Sequence, residues 1–261
     1  MPEDPYRLGE ALPLMPEIPV GKVYVWFYKP VDLVGAAAIF ALFLCMALAV
    51  TDVPKDPLEA LKPSVLLVNI GFQFVLAGIV ALVAVRRVSL VTWLGLRWSS
   101  WYWVFVIAPG AVFFMWTIFL GFQLSGYMKW IESFGVESMQ DTVKLLQKSN
   151  DPLVLGLMAV AAVVAAPLCE EIVFRGFFYP VMKKFAGVWP AAISSALVFG
   201  AAHGNLAALL PLFLFGVLLV LIYEKTGSIW APISVHFCFN AATVILQLAA
   251  RFFDIPLDPP Q

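Results

Sequence analysis

Residues 153–176 read LVLGLMAVAAVVAAPLCEEIVFRG, an apolar run that ends on two adjacent carboxylates, Glu170 and Glu171, with the guanidinium of Arg175 close behind. A charged side chain within a membrane span costs about 2.5–3.5 kcal/mol on insertion scales, so three in so short a stretch need partners and a function. Whether the stretch lies in lipid is decided by the rest of the chain. The 261 residues are 62% hydrophobic and 13% charged, with a mean hydropathy of +0.92. Soluble domains hold about 45–50% apolar and about 25% charged residues. The sequence therefore reads as an all-α, polytopic integral membrane protein.

Spans of about 20 apolar residues are expected near 33–50, 63–85, 101–124, 153–168, 169–184, 190–203, 206–223 and 229–248, about eight in all. Thr51-Asp52-Val53-Pro54 closes the first, since polar backbone cannot cross lipid unpaired. Pro167 is expected to end the fourth, placing Glu170 and Glu171 at the start of the fifth. Trp101-Tyr102-Trp103 has the aromatic character of a headgroup boundary. Asn69 and Gln73 share a face of the second span and are expected to turn toward other helices as glue.

Between Gly126 and Asp151 the chain is most polar. Met139, Val143 and Leu146 line one helical face, with Glu137, Asp141, Lys144 and Lys148 off it, the pattern of an amphipathic helix on a membrane surface. The organisation read from these features is an extramembrane segment at 1–30, three spans at 31–126, an amphipathic connection at 127–151, a catalytic core at 152–250 and a tail at 251–261. The N-terminus lacks the basic start and short apolar core of a cleavable signal, so the first span is expected to be retained. Eight spans place both termini on one side, and Arg86, Arg87 and Arg97 favour the cytoplasmic side.

A net charge of −1 offers no basic face for nucleic acid. Cys45, Cys169 and Cys238 sit in apolar runs without paired metal spacing and read as packing residues. The sequence calls for no cofactor and no metal.

The chemistry-bearing residues fall at helical spacings. Glu171 precedes Arg175 by four, the orientation that favours an ion pair along one face. Glu170 is turned about 100° from its neighbour and is left to face another partner. The chain's only two histidines, His203 and His236, lie in hydrophobic helices. His203 follows Phe199 by four, and His236 precedes Asn240 by four. A carboxylate beside a histidine can take a proton from water and return it to a leaving amine. Histidine and asparagine donors can hold the oxyanion of a tetrahedral intermediate. Together these serve hydrolysis of an amide within the membrane.

Other chemistries fit less well. A zinc site built from His203, His236 and Glu170 lacks a His-Glu-x-x-His motif and leaves Arg175 and Asn240 idle. Ser194 and Ser195 lie in no Gly-x-Ser-x-Gly elbow. Apolar flanks raise the pKa of a thiol such as Cys169 rather than lower it. A non-catalytic scaffold or chaperone that keeps the polar cluster is the alternative from another class. A proton-coupled transporter is a third, though no broken-helix pair marks it.

At these residues the sequence resembles the CPBP family, the type II CAAX prenyl endopeptidases and their bacterial relatives, also described as glutamic intramembrane proteases. The family's Glu-Glu-x-x-x-Arg is matched by Glu170, Glu171 and Arg175, its Phe-x-x-x-His by Phe199 and His203, and its late His-x-x-x-Asn by His236 and Asn240, in family order. The resemblance implies that Glu170 and His203 activate the attacking water, that His236 and Asn240 form the oxyanion hole, and that Glu171 with Arg175 keeps the first glutamate's surroundings in order. It implies no metal, a membrane-anchored protein or peptide as substrate, and residence in the plasma membrane of a prokaryote.

Overall fold

The computed structural model describes residues 22–49, 62–135, 146 and 149–253. Every regular element among them is helical: α1 (Asp32–Ala49), α2 (Pro63–Val85), a short α3 (Leu90–Leu94), α4 (Trp101–Leu124), α5 (Tyr127–Glu132), α6 (Pro152–Ala186), α7 (Val188–Ala201), α8 (Leu206–Thr226) and α9 (Trp230–Phe252). Five of these, α2, α4, α6, α8 and α9, are long and apolar enough to span a bilayer, and α1 and α7 are shorter apolar helices. Large apolar side chains such as Leu67, Val68, Phe74, Val75, Ile79 and Leu82 stand exposed along α2. A water-soluble surface does not tolerate so continuous an apolar face. The chain is an integral membrane protein.

One expected boundary is absent. The fourth and fifth spans form a single 35-residue helix, α6, about 52 Å long at 1.5 Å per residue. Pro167 does not stop it because the helix widens just before the proline, over Ala161–Ala165, and again over Glu171–Phe178, into π-helical turns. A proline mid-helix removes one donor and crowds the preceding turn, and the wider turn absorbs both. Glu170 and Glu171 therefore sit deep within a helix rather than at a helix start. The even count of spans that placed both termini on one side loses its fourth turn.

Local chemistry sets the ends of these elements. Pro152 opens α6 behind Asp151, whose carboxylate accepts from Leu153 N, a proline and cap pairing suited to a helix start. Asn205 caps α8 by accepting from Ala208 N, and left-handed Gly227 closes it. Helices α7 and α8 pack as an antiparallel hairpin, α4 lies along α9, and α6 runs through the middle in contact with α1, α2, α3, α7 and α9. Trp101, Tyr102 and Trp103 are exposed at the start of α4, as an interfacial belt requires.

Two peripheral expectations are refined. Gln73 Nε2 donates to Asn69 Oδ1 at 2.8 Å, and Asn69 is exposed, so these amides bond along α2, while Gln73 Oε1 is buried without a partner. Of the amphipathic face at 127–151, Leu146 is buried against Val154 and Met158. Met139, Val143, Glu137, Asp141, Lys144 and Lys148 lie outside the described residues. Arg251 Nη1 donates to the carbonyls of Leu146 and Ser149, which ties this connection to the end of α9.

Candidate active site

Arg175 is the anchor. Its Nη1 donates to Glu171 Oε1 at 2.9 Å, and both side chains are 0% exposed. Its Nη2 donates to the Gly216 carbonyl of α8 at 3.1 Å, and the guanidinium lies 4.4 Å from the centre of the Phe199 ring. A cation over an aromatic face gains about 2 kcal/mol when desolvated. Gly216 has to be glycine for this approach, because a Cβ there would lie 2.9 Å from Ala196 and 3.3 Å from the Phe199 ring. Gly216→Ala is expected to cost about 1–3 kcal/mol through overpacking, read as a lowered unfolding midpoint of the purified protein in detergent.

Phe199 is the hub of the cluster. Its ring meets those of Phe174, His203 and His236 edge-on at 5.5, 5.1 and 5.8 Å. Phe215 supports His236 from α8 at 5.3 Å. The Phe-x-x-x-His spacing thus supplies a packing post between the two histidines as well as a histidine.

His236, on α9, is buried and reaches both glutamates. Its Nδ1 is 2.9 Å from Glu171 Oε1, and its Nε2 is 4.0 Å from Glu170 Oε2. An ionised carboxylate only accepts, so Nδ1 donates to Glu171, and in the neutral form of the ring Nε2 then carries the lone pair. Glu170 Oε2 is buried without a hydrogen-bond partner. The two glutamates divide their contacts but not their partner: Glu171 is tied to Arg175 and to His236 Nδ1, and Glu170 lies outside the Arg175 ion pair and approaches the other nitrogen of the same imidazole.

Asn240, one turn beyond His236, donates from Nδ2 to the Ala162 carbonyl at 2.7 Å. The widened turn explains why that carbonyl is open. Ala166 N–H bonds to Ala161 O, and the next residue, Pro167, has no N–H to give Ala162. The proline that would have ended the helix instead creates the acceptor that orients Asn240. The amide's other hydrogen remains for a second acceptor.

His203 sits in the turn after α7, exposed, with Nδ1 against the Phe199 carbonyl at 2.9 Å. Among the described residues no hydrogen bond or ion pair joins it to Glu170. Of the two histidines, His236 is the one placed beside Glu170, and His203 is joined to the cluster by its hydrogen bond and ring contact with Phe199.

The residues 152–242 match the family model for type II CAAX prenyl endopeptidase Rce1-like proteins. This part of the chain is similar to that family. All six polar residues singled out from the sequence fall inside the matched region. Over 92 residues, 35% of this chain and 38% of the other, the protein is 32% identical to one from Bacillus subtilis named "Putative membrane peptidase YdiL". It is also 30% identical over 118 residues, 44% of this chain and 56% of the other, to the uncharacterized B. subtilis protein YpbD. An uncharacterized 24.3 kDa protein of Escherichia coli is 32% identical over 94 residues, covering 34% of this chain and 42% of that one. The chain thus spans between about two fifths and somewhat over half of the length of these curated relatives. No solved structure gives a significant match. With bacterial relatives and five candidate spans, the protein is placed in the plasma membrane of a prokaryote.

A second buried ionic group was not read from the sequence. Lys183 Nζ of α6 donates to Glu224 Oε1 of α8 and to the Val23 carbonyl, and Tyr179 OH donates to the same Glu224 oxygen. Lys183 and Glu224 stand near the ends of their helices. Nothing in their local spacing pairs residues 41 apart in sequence.

Proposed function

We propose that the protein is an intramembrane endopeptidase that hydrolyses a peptide bond of a membrane-embedded or lipidated protein or peptide, with Glu170 as the base. The observation that carries this is the approach of Glu170 Oε2 to His236 Nε2, 4.0 Å apart. With the ring neutral and the carboxylate ionised both atoms are acceptors, and a water donating one hydrogen to each would bridge them. As that water adds to a substrate carbonyl, Oε2 takes its proton and then returns it to the leaving amine. The second amide hydrogen of Asn240 is the donor for the oxyanion that forms. Glu171 and Arg175 hold the His236 tautomer and stay out of the proton transfers.

The likeness to type II CAAX prenyl endopeptidases supports peptide hydrolysis as the reaction. The resemblance gives the water to Glu170 with His203, whereas the geometry favours His236 as the partner of Glu170. No group of three His, Cys, Asp or Glu side chains among the described residues is arranged to hold a metal ion.

The test uses protein reconstituted in vesicles with membrane-anchored peptides, in water enriched in oxygen-18. Cleavage should leave one heavy oxygen on the new C-terminus, and a strong chelator should leave the rate unchanged. Loss of activity with the chelator, restored by zinc, would replace the glutamate mechanism with a metal one. If no peptide is cleaved and Glu170→Gln preserves the protein's role in cells, the scaffold reading takes over.

A further inference from the structure

A second backbone carbonyl, in the π-helical turn that carries Glu171 and Arg175, is met by side chains from elsewhere in the chain. The carbonyl of Gly176, directly after Arg175, would look four residues ahead for its helical donor and meets Pro180, which has none. Two side chains from outside the matched region reach it. Tyr28 OH donates to Gly176 O at 2.6 Å, Trp93 Nε1 donates to the same oxygen at 2.8 Å, and Nε1 also approaches Tyr28 OH at 2.9 Å.

The arrangement is built for this contact. Tyr28 and Trp93 are 5% and 3% exposed. A Cβ at position 176 would lie 3.0 Å from the Leu94 side chain, closer than it can sit without moving Leu94, and in ordinary contact with Trp93 at 3.5 Å. Tyr28 ends a segment laid on the bundle with Val23, Val25 and Phe27 buried and Tyr24 and Trp26 exposed. That segment is held at its other end by Lys22 N–H on the Glu224 carbonyl and by Lys183 on the Val23 carbonyl. Trp93 comes from α3, whose own end is fixed by Ile229 N–H bonding to the Leu94 carbonyl at the start of α9. Burial pushes the Tyr28 hydroxyl well above its ordinary pKa, so it stays a donor throughout the working pH range.

We infer that Tyr28 and Trp93 are positioning residues for hydrolysis: by holding the Gly176 carbonyl they fix the register of the wide turn, and with it the direction in which Glu170, Glu171 and Arg175 point. The inference rests on the reading of Glu170 as the base. It makes the segment before α1 and the short α3 parts of the working enzyme, although neither touches the substrate-activating groups. A π turn is less tightly specified than an α turn, and relaxation of one residue into α register would swing the following side chains about 100° around the axis. A displacement near 1 Å in a catalytic group can cost about 10²-fold in rate.

The experiment compares Tyr28→Phe, Trp93→Phe, the double variant and Tyr24→Phe with the wild type in lipid nanodiscs, using a cleaved membrane-anchored peptide and amide hydrogen exchange. Tyr28→Phe and Trp93→Phe should each lower kcat about 10- to 100-fold with KM within about twofold. The double variant should be little worse than the more severe single, since both act through one carbonyl. Amides of residues 171–181 should exchange faster while those of α8 do not, and Tyr24→Phe, on the exposed side of the same segment, should match the wild type in all respects. Unchanged exchange at 171–181 in Tyr28→Phe overturns the positioning role whatever the activity. A fall in thermal stability with kcat intact reduces the contact to plain packing, and an equal loss in Tyr24→Phe shows a general effect of the segment. Glu170→Gln, run alongside, separates the two levels: full activity there overturns the assignment of the base, and the exchange result still decides whether Tyr28 and Trp93 order the turn.

Discussion

Glu170→Gln is expected to reduce peptide cleavage by about 10³-fold or more while leaving the protein folded and inserted. The substitution keeps the shape of the side chain and removes only its capacity to take a proton, the contribution that general-base catalysis values at about 10²–10⁴. Folding should be spared because Glu170 makes no hydrogen bond through Oε2 and forms no part of the Arg175 anchor. His236→Ala should be nearly as severe, since it removes both the second acceptor for the water and a partner of Glu171. His203→Ala is the discriminating companion. If His203 shares the water with Glu170, as the family resemblance implies, its loss matches that of Glu170→Gln. If His236 holds that position, as the 4.0 Å approach favours, His203→Ala is the mildest of the three. Initial rates on one membrane-anchored peptide, with circular dichroism to check the fold, settle the order, and an active Glu170→Gln would remove the glutamate from the mechanism.

What the sequence revealed and what it hid follow a physical division. Interactions along one helix were legible, because the 3.6-residue period fixes them: Glu171 with Arg175, the exclusion of Glu170 from that pair, and the shared faces of Phe199 with His203 and of His236 with Asn240. Apolar length located the helices, and the ends of α2 and α4 fell where hydropathy placed them. The error at Pro167 arose from treating the proline as a stop. A π turn ahead of it accommodates the ring and, by leaving the Ala162 carbonyl open, gives Asn240 its bond. Contacts between distant segments left no periodic signal at all. Tyr28 on Gly176 spans 148 residues and Lys183 on Glu224 spans 41. A sequence sign of the first was Pro180, four residues after Gly176, which has no N–H to offer that carbonyl in α register.

Arg175→Met should be the most destabilising of the variants considered, by about 3–5 kcal/mol, because it leaves the Glu171 carboxylate buried with its main counter-charge gone. The same change removes the donor to the Gly216 carbonyl and the cation over Phe199, so α6 loses its polar tie to α8 at the depth of the site. The double variant Glu171→Met with Arg175→Met then separates stability from chemistry. Replacing both members of a buried ion pair with apolar residues of similar volume is often neutral or stabilising, so thermal unfolding of the purified double variant should return most of the way to the wild-type midpoint. Its activity should not return. Without the Glu171 carboxylate, His236 Nδ1 has no acceptor to fix its tautomer, and Nε2 no longer presents a defined lone pair toward Glu170. If the double variant regains rate together with stability, Glu171 and Arg175 serve the fold alone. If neither returns, the pair is needed for the wide turn itself, because the ionic bond from Arg175 back to Glu171 lies within the segment that the turn spans.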